Sequence, residues 1–313
     1  MVRPFSIEEI FSDLESTRLV PRRQAAGSSL GLAVTLIADY TWTTRAWLPS
    51  AAIVALLGEF GVTSGASRTT ISRLARRGVL EGSRRGRHSW YRLTESAATG
   101  LGYGSAIADF AARTDAWDGS WTVVSFSLPD QESSQRRALR RHLRWNGYAL
   151  LYDGVWVWPH PLTADARAEL ARVALGSITV FRAQHLELVA DANRSPVEAW
   201  DLPAIAARYE EFIGRWGGLL PRIAAGAVTG ADAVRARTEV MDVYRRFPVL
   251  DPMLPVELMP ADWPRARARE AFVAVYDGLA GAAERHIRAV VERAADESYG
   301  GIRAHTFAEM SVD

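Results

Sequence analysis

Apolar and polar positions alternate differently along three stretches of the chain. Leu30–Tyr40 (LGLAVTLIADY) is apolar on nearly every side and predicts a buried first helix. Pro49 stands where a first-turn proline belongs and opens a second helix over Ser50–Phe60, apolar on one face and ended by Gly61. Val62–Ser64 makes a turn, and Gly65–Arg77 makes a third helix stopped by Gly78. Val79–Ser83 and Ser89–Leu93 read as short strands about RRGRH, with Gly86 supplying the tight turn. Helix, helix, turn, helix and two-stranded hairpin is the order of a winged helix-turn-helix.

Glu95–Arg113 then predicts a connecting helix interrupted by glycines at 100, 102 and 104. Beyond Trp117 the pattern changes to strand (Trp121–Leu128), helix (Gln135–Trp145), hairpin about Asp153-Gly154 (Tyr148–Trp158), helix (Thr163–Leu175), strand (Ser177–Phe181) and a further apolar run at His185–Val189. This β-α-β-β-α-β alternation predicts a compact ferredoxin-like domain. From Pro196 the periodicity is helical over Asp201–Trp216, Ala231–Phe247 and Pro264–Ala295, around the proline-rich loop PVLDPMLPVELMPADWP. The expected fold class is α+β. Its expected parts are an arm (1–24), a winged helix-turn-helix domain (25–95), a connecting segment (96–116), a ferredoxin-like dimerisation domain (117–195) and a helical effector-response domain (196–313). A length of 313 residues suits two or three such domains.

Charge sharpens this division. Residues 1–113 carry 14 arginines against 9 acids, and residues 114–313 carry 23 against 27. A basic head on an acidic body points to a polyanion contact confined to the first third. Every basic residue other than histidine is arginine, and lysine and cysteine are absent. Standard P-loops, Schiff bases, thiol nucleophiles, disulfides and cysteine metal sites are therefore excluded. The N-terminus carries acids early and no long apolar core, and no apolar stretch is long enough to span a bilayer, so a cytoplasmic location is expected.

The stretch 67–93 holds eight arginines and one acid, Glu81. On its helix Ala66, Ile71 and Leu74, with Thr70 beside them, are expected to face the core. Thr69, Ser72, Arg73 and Arg76 follow at i, i+3, i+4 and i+7 on the opposite side, flanked by Arg68. Arginine reads guanine bidentately and a Ser or Thr hydroxyl adapts to a base or a phosphate, so the stripe has the chemistry of major-groove readout. Arg84, Arg85 and Arg87 at the hairpin tip suit phosphates or the adjacent minor groove. A solvated arginine face would look similar but would normally carry more acids.

SSLGLAVTLIADYTW and RTTISRLARRGVLEGSRRGRHSWYRLT resemble the head of the PaaX family of bacterial transcriptional regulators. The likeness continues through WDGSWTVVSFSLPDQ and RALRRHLRWNGYALLYDGVWVWP and returns in VYRRFPVLDPMLPVELMPADWPRARARE, spanning about residues 28–275. The resemblance implies a winged-helix head, a middle ferredoxin-like domain similar to small CRISPR adaptation nucleases, and a helical C-terminal domain. It also implies a homodimer that binds a palindromic double-stranded operator and represses aromatic-acid catabolism, classically of phenylacetate. Release would follow binding of an aryl-acyl-CoA effector such as phenylacetyl-CoA. DNA-contact roles carry over onto Arg68, Thr69, Ser72, Arg73 and the wing arginines. No cofactor is implied.

Candidate effector contacts are Trp156 and Trp158, which alternate on one strand, Trp263, and the arginines flanking the proline-rich loop, Arg245, Arg246 and Arg265. Core packing and solvated helix faces are the competing explanations for them. Arg136, Arg137, Arg140, Arg141 and Arg144 give helix 135–145 a basic face, which could meet operator backbone, a partner subunit's acids or only water. An enzymatic alternative is a metal-dependent nuclease built on the ferredoxin-like domain, with Asp130 and Glu132 after its first strand as metal-binding carboxylates. HExxH, GxSxG and P-loop patterns are absent, and the six histidines lack metal spacing.

Overall fold

The structure, a computed structural model, describes residues 29–100, 107, 110, 116–127, 133–173, 177–187 and 194–310. The arm expected at 1–24, most of the connecting segment beyond residue 100, and Asp130 with Glu132 lie outside the described residues. The described residues form two compact units. One takes in those up to 112 with Tyr209–Pro248 and those from Arg265 onward; the other takes in those between 113 and 208 with Val249–Pro264.

In the first unit, helix α1 (Ser29–Thr41) buries Leu30, Val34, Leu36, Ile37 and Tyr40, as its almost unbroken apolar sequence requires. Strand β1 (Leu48–Pro49) is a two-residue edge strand that the sequence pattern does not reveal. Proline is tolerated there because an edge needs no further ladder donor. Helix α2 (Ser50–Gly58) buries Ala52, Ile53, Leu56 and Leu57 as one stripe. Helix α3 (Ser64–Arg76) is capped by Thr63, whose Oγ1 accepts the Ala66 N–H at 3.3 Å. It stops at Gly78 (φ +69), where the Gly78 N–H donates to Ala75 O and the Val79 N–H to Leu74 O, at 3.1 and 3.0 Å. Leu74 and Val79 are both fully buried, completing the helix stop with an apolar contact.

Strands β2 (Leu80–Arg85) and β3 (His88–Leu93) pair antiparallel from Leu80 opposite Leu93 to Arg85 opposite His88, and β1 adds to the far side of β3. The ladder runs closer to the tip than composition suggests, so Arg84 and Arg85 are strand residues rather than turn residues. The connection is Gly86-Arg87 alone, with Gly86 at φ +59, a two-residue hairpin turn that needs glycine first. Helix α4 (Glu95–Gly100) follows, its Ala97 N–H donating to Thr94 Oγ1 at 3.1 Å.

The second unit contains the expected β-α-β-β-α-β alternation: β4 (Trp121–Ser127), α5 (Ser133–Trp145), β5 (Ala149–Tyr152), β6 (Val155–Trp158), α6 (Ala164–Val173) and β7 (Ser177–Ala183). The sheet order is β5-β6-β4-β7, antiparallel throughout. Val124, Phe126 and Trp156 on the sheet meet Leu139 and Leu143 of α5 and Leu170 of α6 in one core. The apolar run expected at His185–Val189 forms no strand in its described part, and Leu186 is exposed.

From Leu202 the chain is helical: α7 (Leu202–Gly217), α8 (Leu220–Ala224), α9 (Gly230–Tyr244), α10 (Phe247–Leu250), α11 (Arg265–Gly278), α12 (Ala280–Ala295) and α13 (Phe307–Met310). The single helix expected over Pro264–Ala295 is therefore two, α11 and α12. At their junction Gly278 lies against α8, where a Cβ would come within 2.8 Å of Ile223 Cγ2. Helix α9 packs against α1, α11 and α12, so the N-terminal helices and the C-terminal helices of this unit share one core. Tyr244 of α9 stacks on Phe272 of α11 with ring centroids 4.1 Å apart.

Candidate nucleic-acid interface

Helix α3 separates its two faces cleanly. Ser67, Thr70, Ile71 and Leu74 are buried, while Arg68, Thr69, Ser72, Arg73 and Arg76 are exposed. Ala66, expected on the core side, is exposed; Ser67 takes the inward position because Ser67, Thr70, Ile71 and Leu74 fall at i, i+3, i+4 and i+7 on one face. At 1.5 Å per residue, Thr69, Ser72, Arg73 and Arg76 make a stripe about 10 Å long. Among the described residues Arg68, Arg73 and Arg76 make no ion pair. The Thr69 hydroxyl donates to Gly65 O at 3.0 Å, which fixes its rotamer and leaves oxygen lone pairs available.

The hairpin neutralises some cations and frees others. Glu81 accepts from Arg92 Nε at 2.7 Å and from Arg45 Nη2 at 3.0 Å, so the one acid of this stretch is taken up at the hairpin base. Arg92 also lies 4.5 Å from the Trp47 ring centroid, and Arg85 lies 4.8 Å from that of Trp90. Strand alternation sends Arg84 to the opposite side of the hairpin from Arg85. Arg84 makes no ion pair among the described residues, and Arg87 donates from Nε to His88 Nε2 at 3.2 Å. Five exposed guanidiniums, those of Arg68, Arg73, Arg76, Arg84 and Arg87, thus face solvent without a carboxylate among the described residues, while Arg85 is partly committed to tryptophan.

A buried polar group behind α3 fixes its backing helix. Asp39, on α1, accepts from the Tyr276 hydroxyl at 2.9 Å, and that hydroxyl oxygen lies 3.0 Å from His305 Nε2. Arg237, fully buried, donates to the carbonyls of Tyr276 and His305 and lies 3.5 Å from the Tyr276 ring centroid. Burial raises the Asp39 carboxyl to about 6, against the pull of Arg237 and the Tyr276 hydrogen bond. Burial lowers His305 to about 4, and the positive charge of Arg237 acts in the same direction. The segment following α12 is tied to the end of α1 and the loop before β1: Thr44 Oγ1 donates to Gly301 O at 2.8 Å, Arg303 N to Tyr40 O at 3.0 Å, and the Tyr299 hydroxyl to Trp47 O. Sequence reasoning missed this group. Its one visible signal is an aspartate inside the otherwise apolar run of α1.

The residues nominated for an effector divide between the units. Trp156 is fully buried in the core of the second unit, while Trp158 is half-buried beside Tyr148 and His160. Trp263 donates from Nε1 to Asp251 Oδ2 at 3.1 Å. In the first unit Arg245 and Arg246 both pair with Asp242, and Arg265 lies 5.8 Å from the Phe110 ring centroid. Among the described residues no cluster of three or more His, Asp or Glu is placed to hold a metal ion, and no helix is long and apolar enough to cross a membrane.

Comparison with known proteins covers most of the chain. Residues 28–97 match the family model described as PaaX-like protein, residues 114–194 the PaaX protein central Cas2-like domain, and residues 200–289 the PaaX-like protein C-terminal domain. Over 242 residues the chain is 32% identical to the transcriptional repressor PaaX of Escherichia coli (strain K12), an alignment covering 76% of this chain and 75% of that protein. A solved structure of an uncharacterized Mycobacterium tuberculosis protein is similar with a TM-score of 0.54 at 25% identity, covering 84% of this chain and 97% of that one. The fold is thus α+β with a Cas2-like middle domain.

Proposed function

Because the chain belongs to the PaaX family, we propose that it is a DNA-binding transcriptional regulator, a repressor and not an enzyme. The observation that carries this is the exposed stripe Thr69, Ser72, Arg73 and Arg76, set opposite the buried Thr70, Ile71 and Leu74 and unneutralised among the described residues. We read α2, the turn and α3 as a helix-turn-helix whose second helix enters the major groove, and β2–β3 as its wing. In that role Arg73 and Arg76 read base edges with Thr69 and Ser72, Arg68 flanks them, and Arg84 and Arg87 hold phosphates. Arg85 contributes to the wing through its contact with Trp90 and Trp47 as well as through its charge.

The domain scheme follows from the same premise: a winged head at 25–95, a connecting segment at 96–116, a ferredoxin-like dimerisation domain at 117–195 and an effector-responsive helical part at 196–313. A homodimer of such heads matches a palindromic operator, since protein two-fold symmetry is mirrored in the site. The regulated genes are an aromatic-acid catabolic operon in the cytoplasm, and the effector is an aryl-acyl-CoA thioester. It must bind the DNA-incompetent arrangement more tightly than the competent one. The test is a gel shift of the full-length protein on the intergenic DNA beside its gene, with and without phenylacetyl-CoA. Retardation abolished by the thioester supports the whole proposal. Retardation insensitive to it removes the effector, and no retardation removes the DNA-binding function.

A further inference from the structure

We infer that helix α5 is a second phosphate-binding surface, one that holds DNA backbone without reading sequence. The inference rests on the chain being a DNA-binding protein, and adds that the second unit takes part in the contact. Residues 133–145 (SSQRRALRRHLRW) carry five arginines and a histidine with no acid, inside a stretch, 114–313, whose 23 arginines are outnumbered by 27 acids. Positive charge is segregated onto this helix.

Solubility alone does not account for that segregation. Helices α9 and α12 mix their signs, as in Arg235–Asp232 and Arg288–Glu284. Helix α5 instead sets like charges at i and i+4 three times over: Arg136 with Arg140, Arg137 with Arg141, and Arg140 with Arg144. Such pairs lower helix stability rather than raise it. Arg140 is offset by Asp153 at the neighbouring hairpin turn, 2.9 Å away. Like charges gathered on one helix are an arrangement that an external polyanion would relieve.

The fold decides which arginines such a polyanion would meet. Leu139 and Leu143, each 1% exposed, are sunk among Val124, Phe126 and Trp156, which fixes the rotation of the helix on the sheet. Arg137, Arg141 and Arg144 lie on its outward side, exposed, at i, i+4 and i+7. They span about 10 Å of helix, long enough to reach more than one phosphate of a duplex. Arg144 is braced by the Trp156 ring, 5.6 Å from its guanidinium, so less freedom is lost when it binds. These positions offer guanidinium alone, without the hydroxyls that α3 sets beside its arginines. That chemistry suits phosphate and not base edges.

The experiment measures binding of the full-length protein to a random-sequence duplex of about 60 base pairs across a salt series, because backbone contacts set the slope of affinity against salt. The R137Q/R141Q/R144Q variant is expected to lose on the order of tenfold in affinity at low salt and to lower the slope by about 2 to 3, while R137K/R141K/R144K keeps the native slope. An R73Q/R76Q variant reports on the head separately. If the native protein does not bind DNA, this inference falls together with the proposed function. If the head variant weakens binding while the glutamine triple variant matches native affinity and slope, only this inference falls. If the triple variant binds less solely because it sediments as monomer where the native protein is a dimer, α5 is a subunit contact and the inference is overturned.

Discussion

The Tyr276 hydroxyl donates to Asp39 Oδ1 at 2.9 Å, joining the helix that backs the arginine stripe to a helix 237 residues further along the chain. The same phenol oxygen lies 3.0 Å from His305 Nε2, and burial keeps that imidazole neutral at neutral pH. Tyr276→Phe strips a buried carboxylate and a buried imidazole of their shared partner. It is expected to cost about 1–3 kcal/mol of stability, read from urea unfolding midpoints at constant slope.

Asp39 and His305 make opposite contributions to acid stability. Asp39 rises from 3.8 to about 6 on folding, so the folded form binds its proton more tightly and this residue favours the fold as pH drops from about 6 to 3.8. His305 falls from 6.5 to about 4, so the unfolded chain binds that proton more tightly and stability is lost as pH drops from 6.5 to about 4. The two offset each other between about pH 4 and 6. Relative to the native protein, Asp39→Asn should lose stability more steeply on acidification across this window and His305→Asn less steeply. Urea midpoints at several pH values across it check both; parallel profiles for all three proteins would refute the opposition.

Gly301 lies where a Cβ would come within 2.7 Å of Ala46 Cβ, whereas a Cβ on Gly300 would meet nothing within 4 Å. Gly301→Ala should therefore cost about 1–3 kcal/mol by overpacking the loop that leads into β1. Gly300→Ala should change the melting temperature little, and a scanning calorimetry comparison separates them.

Arg84 and Arg85 are adjacent in sequence but differ in their surroundings. Arg85→Ala removes the cation held over Trp90 and Trp47 and should cost about 0.5–1 kcal/mol of stability. Arg84→Ala should stay within about 0.5 kcal/mol of native. Both should weaken binding to every DNA sequence by similar factors, because phosphate contacts carry no base preference. Thermal melts and filter binding on two unrelated duplexes provide the readouts.

The elements around the stripe were legible because their signals are local. The Gly78 stop and the Gly86 turn are each set by a few neighbouring residues, and the i, i+3, i+4 and i+7 spacing declares the exposed face of α3 without tertiary information. The alternation of β4 to β7 was legible for the same reason. What could not be read depends on contacts distant in sequence. Strand β1 exists because Leu48 and Pro49 meet Tyr91 and Trp90. The neutralisation of Arg92 depends on Glu81 across the hairpin, and the polar group around Arg237 gathers residues from four separate segments. Composition likewise could not divide Trp156, which fills a core, from Trp158, which lies half-exposed beside it.

The claim that α3 reads base sequence meets its most direct test in Arg73→Ala. A duplex preferred by the native protein is first selected from a random library, and the affinities of both proteins are measured for it and for a scrambled duplex at one salt concentration. Arg73→Ala is predicted to cost about 1–3 kcal/mol on the selected duplex, with a much smaller loss on the scrambled one, and to relax preference at one base-pair position. Unchanged affinity and unchanged base preference would contradict the placement of this helix face in the groove.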